Sequence, residues 1–293
     1  MRSPEAPRDR SYGRFPPGIF CERGAARDAR KAAPIITVTQ AQLEGWLSQL
    51  FWPFIRIGAC FMVAPAFGAL FIPARLRLVL AGAVALLIAP LIPQPTGIVP
   101  FSMAGILVTI QQVLIGVALG FALQVLFDAV AMGGQLLANS MGLSFAFNVD
   151  PMRGTGTPAL GQLYAILVML TFLALDGHLA LIEVLVDGFR TLPIGETGFS
   201  SEGLWTLVAW GTQIFSGALA VALPGITALL IVNIAFGVMS RAAPSLNLFA
   251  VGFPISLVFG LVIVLVGLPA LQSAFVSLLG KAFMLLRMLQ GGG

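Results

Sequence analysis

Charge is scarce in this chain. Asp, Glu, Lys and Arg make up 10% of its 293 residues, whereas soluble domains carry about 25%. The little charge present is unevenly placed: residues 1–34 hold eight Lys and Arg against four acids, and residues 35–293 hold eight of each sign. The net charge of +4 thus belongs to the N-terminal segment, and the rest has no basic face of the kind that binds nucleic acid. Cysteine is nearly absent. Cys21 lies in the polar segment and Cys60 in an apolar run, which excludes a disulfide framework and a thiolate metal set. His178 is the one histidine, and neither HExxH for zinc nor GxxxxGK[ST] for a nucleotide phosphate occurs. Ser144 and His178 could pair only across distant segments. The stretch Gly142-Leu143-Ser144-Phe145-Ala146 lacks the strained GxSxG elbow, and nothing orients the base. No catalytic residue, metal or cofactor is expected.

Hydrophobic sequence is what the chain has in excess: 58% of residues, with a mean hydropathy of +0.97. A membrane-spanning helix needs about 20 predominantly apolar residues. Candidates lie near 46–72, 74–94, 102–131, 159–187, 205–236 and 248–272, which predicts an all-α, multi-pass membrane protein of kinked or broken helical hairpins. Several segments exceed one straight span, so tilt and kinks are expected, with breaks at Pro53, Pro65, Gly177, Pro224-Gly225 and Pro254. Irregular backbone at membrane depth survives only against protein or water, which suits an assembly subunit or a pathway-lining protein. Gly116 and Gly120 form a GxxxG, where backbones can approach closely, and contacts with other chains are expected there. Residues 1–35, with Pro4, Pro7, Pro16, Pro17, Pro34 and mixed charge, read as a disordered basic tail. It contains no signal-peptide apolar core, and translation is expected to start near Ile36. The membrane domain then covers 36–290. With the tail counted, the positive charges, eleven to four, place both termini in the cytoplasm; without it they stand three to four and decide nothing.

Polar groups inside apolar sequence mark candidate sites. Arg56 is expected in an ion pair with an acid of a neighbouring helix, or in transport itself. Asp176-Gly177-His178, followed by Glu183 and Asp187, reads as a reverse turn between two helical halves. Two stretches stand apart. Residues 141–158 link two spans yet carry Met141, Leu143, Phe145, Phe147 and Met152. Asp150-Pro151 suits a type I turn before Arg153, and Gly154 and Gly156 permit left-handed backbone. Residues 223–254 hold a basic turn in which Arg241, Pro244 and Asn247 separate two apolar helices.

These stretches carry a resemblance. LPG followed by LLIVNIAFGVMSRAAPSLNLFAVGFP, the loop MGLSFAFNVDPMRGTGTP, the segment IGVALGFALQVLFDAVAMGGQLLANSMG and the start AQLEGWLSQLFWPFIRIGACFMVAPAFG together resemble the FliR family of type III export-gate subunits. The resemblance covers about residues 38–290. The chain departs from the family at Gln112, Ser245 and Asp176, where Glu, Gln and Asn are frequent. The resemblance implies a core subunit of the flagellar export gate, in the bacterial inner membrane at the flagellar basal body. It implies FliP-like and FliQ-like partners, with FlhB and FlhA nearby, and unfolded flagellar subunits as cargo. Much of such a gate is implied to stand above the membrane plane. It also implies that the loop holding Met141, Leu143, Phe145, Phe147, Asp150, Pro151, Met152, Arg153 and Gly154 is a plug, with Arg56, Gln112, Asp176, His178, Arg241, Pro244 and Asn247 as structural polar positions. The competing reading is a secondary transporter or channel for a small solute, which would favour an internal inverted repeat; none is evident.

Overall fold

The structure, a computed structural model, describes residues 39–68, 73–93, 100, 102–143, 159–195, 198–242 and 248–291. The expected all-α fold is found. Helices α1 (Gln40–Val63), α2 (Pro65–Gly68), α3 (Ala74–Ile88), α4 (Met103–Ser140), α5 (Ala159–Ala174), α6 (Gly177–Thr191), α7 (Ser201–Trp210), α8 (Gln213–Ala242) and α9 (Leu248–Gly291) follow in order, with no strand among the described residues. Among the described residues, five stretches are long and apolar enough to cross a membrane, and six if α5 and α6 form one bent crossing. The chain is a polytopic membrane protein.

Helix α4 is the spine of the body. Of its most apolar window 67% is buried, against 17% for α7–α8 and 22% for α9. Ser102 caps its start by accepting a hydrogen bond from the Gly105 N–H at 3.0 Å, which satisfies one orphan donor of the first turn. Its end is closed by Gly142 at φ 81°, where the Leu143 N–H returns to the Ala138 carbonyl at 3.1 Å. This is a Schellman closure, in which glycine takes the left-handed position.

The other helices pack along this spine in register. α1 runs parallel to it, with Arg56 to Ala64 beside Gly116 and Gly120. α8 is also parallel: Gly217 meets Ala129 and Gly225 meets Leu137, while Trp210 at the end of α7 meets Ala122. α5 and α9 run the other way, with Gly161 on Ala131 and Gln135, Phe172 on Phe127, Gly260 on Met141, and Phe275 on Phe127. The three rings of Phe127, Phe172 and Phe275 meet edge to face at 5.5 and 5.6 Å, the arrangement aromatic quadrupoles favour.

Two expectations are corrected. The helices outrun the apolar windows: α4 continues past 131 to Ser140 and α9 past 272 to Gly291. Gly133, Gly134, Leu137 and Ala138 extend the buried face of α4, and Leu278, Ala282, Leu285 and Leu289 that of α9. Helix length here follows packing rather than bilayer thickness. Pro53, Pro224 and Pro254 do not break their helices, because one proline removes one backbone bond and bends a helix without forcing reversal. The breaks at Pro65 and Gly177 are real.

Candidate functional site

Arg56 lies one turn beyond Trp52 on the buried side of α1, and both are fully enclosed. Its guanidinium donates Nε–H to Gln112 Oε1 at 2.7 Å, an Nη1 proton to the Gly188 carbonyl at 3.0 Å, and an Nη2 proton to the Leu192 carbonyl at 2.9 Å. Its central carbon stands 4.2 Å from the centroid of the Phe189 ring. The expected ion pair is absent among the described residues, since every acceptor is neutral. Two of them belong to the last turn and cap of α6, where aligned peptide dipoles leave partial negative charge, and the aromatic face adds attraction. The rigid guanidinium fork can address three acceptors at once, so one side chain ties α1, α4 and α6 together.

Gln112 is incompletely used. Its Nε2 is buried without a hydrogen-bond partner among the described residues. A carboxylate at this place would keep the acceptor, remove the orphan donor and supply the missing charge. Gln112→Glu is therefore expected to raise the melting temperature of the detergent-solubilised protein, read by intrinsic fluorescence. An unchanged or lower value would show that the site is tuned for a neutral partner.

The glycines of the GxxxG face inward, contrary to the expected contact with other chains. A Cβ on Gly116 would meet the Arg56 carbonyl oxygen and lie 2.8 Å from Ala59 Cβ, and one on Gly120 would lie 2.7 Å from the Cys60 carbonyl oxygen. The motif seats α1 on α4 within this chain. Cys60 is a buried free thiol.

At Asp176 the expected reverse turn is corrected: the chain bends there without reversing. Asp176 sits at φ 53°, and α5 and α6 meet there at 65°. Asp tolerates this left-handed conformation better than most non-glycine residues. Gly177 follows because a Cβ there would strike the Phe172 ring. His178 is half-buried, and its Nδ1 has no hydrogen-bond partner among the described residues.

The two unusual stretches leave from the same end of the bundle. Met141 is buried against Gly260, and Leu143 packs on the core. Phe145, Phe147, Asp150, Pro151, Met152, Arg153 and Gly154 lie outside the described residues, as do Pro244, Asn247 and the segment 1–35. Arg241, at the end of α8, is exposed.

Other positions emerge only in three dimensions. Trp210 Nε1 donates to the Ala122 carbonyl at 2.9 Å and pins the α7–α8 joint to the spine. Gln290 Nε2 donates to the Val184 carbonyl at 2.9 Å beneath Gly188. The acceptors are backbone carbonyls, which carry no side-chain signature. Gln124 and Asp128, bonded at 2.8 Å, begin a polar row on α4 that its four-residue spacing would have revealed.

A buried arginine tying three helices, a GxxxG seated inside the chain and two loops rooted at one end can be set beside known proteins. The family described as bacterial export proteins, family 1, matches residues 47–282. The chain belongs to this family. Among individual relatives, the flagellar biosynthetic protein FliR of Pectobacterium carotovorum subsp. carotovorum is 40% identical over 252 residues, covering 86% of this chain and 96% of the relative. That of Escherichia coli K12 is 38% identical over the same shares. That of Buchnera aphidicola subsp. Acyrthosiphon pisum is 31% identical over 81% of this chain and 92% of the relative. The match to bacterial export proteins, family 1, takes in Arg56, Gln112, the Asp176 turn and both loops, so the whole arrangement lies within the shared region.

Proposed function

We propose that the chain is a core subunit of the flagellar type III export gate, in the bacterial inner membrane at the flagellar basal body. The observation that carries this is the 40% identity across nearly the full length of a flagellar biosynthetic FliR protein. The apolar flanks of α8 and α9 support it: most of their most hydrophobic windows is uncovered by this chain, surface that lipid or other subunits must take. In this reading FliP-like and FliQ-like subunits cover those flanks, FlhB and FlhA act beside the gate, and unfolded flagellar subunits are the cargo. The gate hydrolyses nothing itself.

Residues 141–158 act in this proposal as the plug. Export of extended polypeptide requires closure to ions at rest, and Met, Phe and Leu side chains close a narrow pore by excluding water. Met141 and Leu143, packed into the body, root the loop. A strain lacking the gene is expected to lose swimming and to secrete no flagellin. Shortening the loop by residues 143–149 is expected to leave assembly intact and to make cells overproducing the complex permeable to small ions. Normal flagellin secretion in the first strain would end the proposal. Unchanged permeability in an assembled shortened gate would reduce the loop to packing.

A further inference from the structure

Four helices of this chain cover α4 on most of its circumference, and one face remains open. Val117, Asp128 and Asn139 are exposed there, and Phe121, Gln124, Met132 and Gln135 are half-buried. The open face is bounded by α5 at Gly161 and by α8 at Gly217. It carries the polar row Gln124, Asp128, Gln135 and Asn139, about 22 Å long at 1.5 Å per residue. Asp128 is held by Gln124 Nε2 at 2.8 Å and forms no ion pair among the described residues.

Asn139 also belongs to a second feature. It lines a cavity of about 580 Å³ between the end of α4 and the adjoining ends of α8 and α9. The polar groups there are Asn139, Ser140, Asn233 and Ser256, between the rings of Phe236 and Phe253. Ser256 donates its hydroxyl proton to Asn233 Oδ1 at 3.1 Å, and no charged side chain among the described residues lines the space.

Three kinds of cover are conceivable for the open face. Lipid is disfavoured, because an unpaired carboxylate at membrane depth costs several kcal/mol. A folded neighbour would have to present matching polar groups along the whole row and a cation to Asp128, since buried polar groups require partners. A hydrated extended chain meets neither obstacle. Its amides find donors and acceptors in Gln, Asn and Ser side chains whatever its sequence, and Phe121, Met132, Phe236 and Phe253 receive its apolar side chains; methionine repacks readily around varied shapes.

We infer that the open face of α4 and the cavity it enters form one track for an extended polypeptide, held through backbone amides rather than side-chain identity. This rests on the export reading above. The test uses the assembled complex in cells, with Cys21→Ser to remove the second native thiol, Cys60 being buried. Asp128→Cys, Gln135→Cys and Asn139→Cys are compared with Leu170→Cys on the exposed apolar side of α5. The probe is an export substrate with one cysteine, fused to a folded domain that stalls it in transit. Disulfide adducts with the substrate at two or more row positions, and none at residue 170, are expected. If one variant fails to assemble, the others carry the test. Adducts only with a neighbouring subunit, or a stalled substrate with no adduct in the row, overturn the track and leave the export reading standing. Flagellin secretion by a strain lacking the gene overturns the export reading instead.

Discussion

Replacing Arg56 by leucine is expected to destabilise the body by about 3–5 kcal/mol, because it leaves buried acceptors without a donor, each costing about 1–3 kcal/mol. Gln112 Oε1 loses its 2.7 Å bond, and the Leu192 carbonyl, at the end of α6, loses its partner at 2.9 Å. The Gly188 carbonyl keeps the N–H of Leu192 at 3.0 Å and suffers less. Arg56→Lys should retain part of the stability, since an ammonium carries charge but lacks the planar fork. The double variant Arg56→Leu with Gln112→Leu should lose less than the sum of its singles, because it removes both sides of the strongest contact. The measurement is thermal unfolding of the detergent-solubilised complex, with steady-state protein level as a second readout. Full stability of Arg56→Leu would mean that the arginine is dispensable to the fold and serves transport directly.

Gly116→Ala is the second large effect. Its methyl group would overlap the backbone of α1 at Arg56 and press on Ala59, and backbone atoms, unlike a side-chain end, cannot rotate away. Overpacking of this kind costs about 1–3 kcal/mol, and here α1 must move and take Arg56 with it, so the hydrogen-bonded cluster loosens too. Gly116→Val should abolish accumulation of the protein. The contrast is Gly280→Ala in α9, where nothing lies within 4 Å of the added methyl. There alanine should stabilise by up to about 1 kcal/mol through helix propensity. Both variants are compared by melting temperature and by motility of the complemented strain. Equal tolerance at 116 and 280 would refute the close seating of α1 on α4.

Hydropathy made the membrane class and the helix order legible, since apolar runs at this density have few other uses. Asp176-Gly177 announced a break but not its kind: Asp176 takes the left-handed backbone, Gly177 makes room for the Phe172 ring, and the chain bends instead of reversing. The Arg56 site was only half legible: a lone arginine in an apolar helix declares that it needs partners, but three neutral acceptors, two of them main-chain, leave no pattern in the chain. The GxxxG was legible as a contact and illegible as to whose, because small residues signal proximity without naming the neighbour. Pro53, Pro224 and Pro254 misled, since a proline within a well-packed helix leaves the helix running.

The bend at Asp176 also fixes a parity. An angle of 65° turns the chain aside without sending it back. α5 advances about 24 Å, and α6 adds about 9 Å along the same axis at 1.5 Å per residue. Together they match a hydrocarbon layer of about 30 Å. The pair thus counts as one pass along the body, and the described helices make an even number of such passes. Its last turn accordingly comes home to the level of its first helix, where Gln290 and Arg56 both reach α6, through Val184 and Gly188. Had the left-handed residue closed a true hairpin, the sense of α7, α8 and α9 would be inverted, and the last turns of α4 and α8 would lie at opposite ends of the body instead of sharing one.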